Sequence, residues 1–136
     1  MHILRSTLAA LTIGTMTCTA IAANPATLKL KLYAQNRSGE TGIVTLNEIP
    51  GGVTIVVKMD GGQNGSQPIH IHTGACANPN LTPTYTLANI EHGNSTTTLS
   101  GITLSELLEG HYVIDVHESS ADITKYVACA AIALPK

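Results

Sequence analysis

A chain of 136 residues has room for one folded domain and little for a second. Its net charge of −2 and only seven Lys and Arg, scattered along the chain, exclude the basic footprint that nucleic-acid binding requires. Aromatic residues make up 3%, with no Phe or Trp, so the core has to come from Val, Ile, Leu and Ala, a bias towards strands.

Residues 1–23 read as a secretory leader. Arg5 forms a short positive region, Leu8 to Thr15 an apolar stretch, and Ala20-Ile21-Ala22 a small-x-small cleavage site. The apolar stretch falls short of the about 20 residues that a spanning helix needs, so no stable membrane insertion is expected. Thr15-Met16-Thr17 before Cys18 lacks the Leu and small residue of a lipidation motif. Residues 24–136 are then an exported domain, bound for a periplasm or the medium. Cleavage leaves Cys76 and Cys129 in an oxidising compartment, where the pair is expected to form a disulfide. Its loop of about fifty residues would contribute on the order of 4 kcal/mol.

Strand patterns follow in order. Leu28, Leu30 and Leu32 alternate with Lys29 and Lys31, giving a strand with one wet face. Ile43 to Asn47 and Val53 to Met59 come next, parted by Pro50-Gly51-Gly52, and 60–66 is a loop leading into Ile69-His70-Ile71-His72. Further strands are predicted over Thr84–Ile90, Ser95–Leu99, Tyr112–His117 and Tyr126–Leu134. Thr103-Leu104-Ser105-Glu106 has the capping-box pattern of a short helical turn. These eight strands with Gly- and Asn-rich turns point to an antiparallel sandwich or barrel.

In Ile69-His70-Ile71-His72 the strand period of two sends both isoleucines to the core and both imidazoles to the opposite face, about 7 Å apart at Cα. Two such histidines alone are more simply read as solvated. Tyr112-Val113-Ile114-Asp115-Val116-His117 changes that balance, because its apolar even positions face inward and place Asp115 and His117 outward with the His-x-His pair. Three imidazoles on one outer wall suit copper, the divalent ion that nitrogen donors favour most. His92 belongs to a hairpin turn, and His111 is about 20 Å of strand from His117, so both stay outside the ligand set.

The order of these segments resembles the copper-zinc superoxide dismutases, over about Leu28 to Leu134. Pro68-Ile69-His70-Ile71-His72 resembles the family strand that supplies two copper ligands, and Cys76 falls where its loop cysteine lies. Val116-His117-Glu118-Ser119-Ser120-Ala121-Asp122 resembles the segment bearing another copper ligand, and Tyr126-Val127-Ala128-Cys129 the run with the second cysteine. The resemblance implies an eight-stranded Greek-key barrel, one disulfide, and copper held by His70, His72 and His117.

The departures are equally specific. No histidine lies between Cys76 and His92, so the family's bridging ligand and zinc site have no counterparts, and zinc is not expected. Tyr126 stands where the family has its anion-binding arginine. Lys125 is adjacent but points the other way by strand parity. Two readings of function remain open: slow superoxide dismutation at one copper ion, or a copper carrier, buffer or metallochaperone exchanging copper with another protein. Tyr126 and Asp115 are candidates for residues supporting the site; rim packing for Tyr126 and a solvated charge for Asp115 are the simpler alternatives.

Overall fold

The alternation in the first strand sets the pattern of the whole sheet. In β1 (Thr27–Ala34), Leu28, Leu30 and Leu32 are buried while Lys29 and Lys31 stay exposed. The computed structural model describes residues 26–61 and 65–135; the expected leader, 1–23, and loop residues 62–64 lie outside them. After β1 come β2 (Thr41–Ile49), β3 (Gly52–Asp60), β4 (Ile69–Ala75), β5 (Asn78–Pro79), β6 (Tyr85–Thr86), β7 (Asn94–Ser100), α1 (Leu104–Glu109), β8 (Tyr112–His117) and β9 (Tyr126–Ala131).

All pairings are antiparallel, in the order β5-β4-β8-β9-β1-β2-β3-β7, with β6 beside β4. The sheet curls into a half-barrel, in which β3 crosses to β4 and β7 crosses back through α1 to β8. Val44, Leu46, Val53, Ile55, Ile69, Ile71, Ile114 and Val116 fill its interior. Thr103 caps α1 as its spacing predicts. Its hydroxyl accepts from Glu106 N, the Glu106 carboxylate accepts from Thr103 N at 2.7 Å, and Leu104 and Leu107 are buried.

Seven of the eight expected strands form. The eighth, Thr84–Ile90, contracts to β6 with an isolated bridge between Gln67 and Ile90, while β5 forms outside the eight expected strands. The cause is the gap between β4 and β7, which this segment must span. Its backbone bonds β4 and the residues just before it, through Thr84 N to Ile71 O, Leu87 N to Ile69 O and Gln67 N to Ile90 O. Side chains tie it to β7, as Thr97 Oγ1 accepts from Ala88 N at 2.8 Å and Ser95 Oγ donates to Ala88 O at 2.6 Å.

Gly52 is buried at the start of β3, facing Ser100 of β7, and a Cβ there would run into the Leu99 carbonyl oxygen. Gly52→Ala is therefore expected to destabilise the fold by about 1–3 kcal/mol through overpacking. Urea unfolding checks this; an unchanged midpoint would show that the β3–β7 contact yields freely.

Candidate metal centre

Register brings the three predicted ligands together. β4 pairs with β8 so that His70 lies opposite Asp115 and His72 opposite Val113, and His117 closes β8 two residues beyond Asp115. Facing residues of adjacent strands share one side of a sheet, so this set lies on the outer wall with the isoleucines turned inward. One nitrogen from each of His70, His72 and His117 lies within 4.8 Å of the others. Among the described residues no other group of three or more His, Cys, Asp or Glu gathers in this way.

A register shift between Val116 and His117 refines the placement. Val116 faces Ala128 and His117 faces Tyr126, so Val127 is the extra residue of a bulge in β9. Tyr126 is thereby set against the site, its ring centroid 4.8 Å from that of His117 and 6.3 Å from that of His72.

The imidazoles are held by backbone carbonyls that sequence reading missed, since a carbonyl carries no side-chain signature. His72 Nδ1 donates to Asn80 O at 2.7 Å, which leaves its Nε2 a bare lone pair, buried and without a partner. His117 Nδ1 donates to Ile123 O. Its Nε2 therefore accepts, and His70 Nδ1 donates to it at 3.0 Å. An orienting bond on the far nitrogen is the usual support of a metal-ligating histidine.

Burial is deeper than the outer-wall position predicts. His72 is 1% exposed and His117 2%, while His70 is half-buried. Asp115, read from parity as a solvated charge, is on the expected face but fully buried, at 0%. For His72 and His117 the physical reason is a cover of loops. Residues 76–83 follow β4 and supply the Asn80 carbonyl, and residues 118–125 follow β8 and supply that of Ile123. A disulfide between Cys76 and Cys129 fixes the first loop to β9.

Burial governs the titration of the site. It pushes the His117 imidazole down to about 4, against the Ile123 bond and aided by the charges of His70 and His72. His70 is lowered as well, by burial and then by His72. Both are neutral at pH 7 and able to give a lone pair to a metal ion. Asp115 is pushed up to about 7 by burial. Neither of its oxygens has a hydrogen-bond partner. Tyr126 is raised by burial and then by the charge of Asp115.

A cavity of about 310 Å³ opens onto the cluster, lined beside the histidines by Leu81, Pro83, Ile123, Thr124 and Tyr126. No charged side chain lines it. Lys125 is tied to Glu118 at 2.7 Å, away from the lining, in keeping with its parity. His92 (φ 50°) and Gly93 (φ 77°) form the tight turn between Glu91 and Asn94, and His111 is exposed before β8; neither belongs to the cluster. No helix among the described residues is long and apolar enough to cross a membrane.

The chain matches no protein-family model and no curated protein.

Proposed function

We propose that this protein is an exported, superoxide dismutase-like copper protein that holds one copper ion through His70, His72 and His117. The observation that carries the reading is the convergence of three imidazole nitrogens within 4.8 Å, two of the rings oriented from behind by backbone carbonyls. An all-imidazole donor set favours copper among the divalent ions that it suits. The leader pattern of residues 1–23 supports export.

Copper bound there would supply one-electron redox chemistry. The chain's own residues fix the donors, keep two of them from water, and leave one approach through the cavity. That approach is apolar and carries no arginine or lysine to draw or hold an anion, which favours a carrier or buffer that trades copper with another protein. Superoxide dismutation is the second reading, favoured by the cavity itself, which gives a small anion room to reach the cluster.

The test is a Cu²⁺ titration followed by EPR on the disulfide-bonded protein and on His117→Ala, with superoxide consumption recorded on the loaded samples. The expected result is one mononuclear site with nitrogen hyperfine structure, absent from the variant, and slow superoxide consumption. Identical copper binding by both proteins would overturn the three-histidine assignment. Rapid, saturable consumption lost in the variant would establish dismutation as the purpose of the copper.

A further inference from the structure

Asp115 occupies the centre of the histidine wall. His70 faces it from β4, Cys129 faces it from β9, His117 is two residues on along β8, and His72 stands diagonally across on β4. Its carboxylate is fully buried, and both oxygens lack any hydrogen-bond partner. An isolated carboxylate in such a place is costly, and pairing with a cation is what offsets that cost. Among the described residues the only salt bridge is Lys125 with Glu118, so no cationic side chain pairs with Asp115.

We propose that Asp115 is the anionic floor of this centre, a counter-charge beneath the three histidines that makes the site select divalent over monovalent copper. The inference rests on the metal reading above and deepens it by naming the oxidation state the site prefers. Asp115 lies outside the group of donors that approach within 4.8 Å, so it acts through space and not as a ligand. Three neutral imidazoles cancel none of the ion's charge. The cost of burying that charge rises as its square, and the attraction to one carboxylate doubles from Cu⁺ to Cu²⁺. Removing the carboxylate therefore harms the divalent ion far more than the monovalent one.

The experiment compares the disulfide-bonded wild-type protein with Asp115→Asn and Asp115→Val. Cu²⁺ affinity is measured against a competing chelator, and Cu⁺ affinity under anaerobic conditions against a chromophoric Cu⁺ chelator. Thermal unfolding of the metal-free proteins shows that each variant folds, and the valine variant avoids the buried amide of the asparagine one. Both variants are expected to lose about 10–100-fold in Cu²⁺ affinity and about 3–10-fold in Cu⁺ affinity, since one charge weighs half as much on the monovalent ion. The resulting change of about 3–10-fold in the affinity ratio raises the reduction potential by about 30–60 mV. Equal losses for both ions would overturn the inference and make Asp115 a merely structural residue. Unchanged Cu²⁺ affinity in both variants would overturn it as well while leaving the three-histidine centre standing. Failure of the wild-type protein to take up either ion would overturn the metal reading itself.

Discussion

Replacing Cys76 and Cys129 by serine lowers the unfolding free energy by about 4 kcal/mol. The bond joins residues 53 apart in sequence, about half the span from β1 to β9, so cutting it frees a long loop in the unfolded chain. In the folded chain it pins the start of the 76–83 segment to the middle of β9, next to Asp115 in the β8–β9 register. Cys129 is fully buried, and a serine hydroxyl there needs a new partner, which adds to the cost. For a domain of this size the melting temperature falls by roughly 15 °C.

On the proposed reading, the same replacement is expected to weaken copper uptake without abolishing it. The 76–83 segment keeps a local anchor in β5, where Pro79 faces Gly74 and Asn78 faces Ala75, and Asn80 N donates to Thr73 O at 2.8 Å. The carbonyl that orients His72 is thus loosened and not lost. Circular dichroism melts of the oxidised wild type and the double-serine variant provide the check. Midpoints within about 3 °C of each other would mean that the disulfide contributes little and that the barrel is stabilised almost wholly by its core.

How far the sequence discloses this molecule depends on whether a feature is local. The alternation of Leu28, Leu30 and Leu32 with two lysines states β1 outright, and Thr103 with Glu106 states the start of α1, because both patterns are complete within one segment. Thr84–Ile90 has the composition of a strand, yet most of it lies in the gap between β4 and β7, a demand set by barrel closure that no local pattern records. Asp115 marks the same limit within the centre. Strand parity places it on the correct wall, but its full burial is a property of the assembled fold that no pattern within β8 records. The bulge at Val127 is equally silent, although it is what turns Tyr126 towards His117.

That burial makes the pH dependence of stability a sharp test of the centre. The carboxyl of Asp115 is pushed from an ordinary 3.8 up to about 7 in the folded chain. Between those values the folded state holds a proton that the unfolded chain has released. The group's contribution to stability is therefore fully present below pH 3.8 and is lost as pH rises through about 7. His117 works in the opposite sense, because burial lowers it from 6.5 to about 4. The unfolded chain takes up a proton there that the folded chain refuses, so stability falls as pH drops from 6.5 towards 4. Over most of that window the two slopes oppose each other in the metal-free wild type and leave its stability nearly flat with respect to these groups.

Asp115→Asn removes one slope and exposes the other. Relative to wild type, the variant is expected to gain stability as pH rises from 4 to 8. The full span corresponds to about 4 kcal/mol at most. Urea unfolding of both metal-free proteins at the two pH values measures the difference directly. A gap between variant and wild type that stays constant with pH would mean that Asp115 is already ionised at pH 4. It would then be solvated or paired in the metal-free protein, and the lone buried carboxylate on which the counter-charge role depends would not exist.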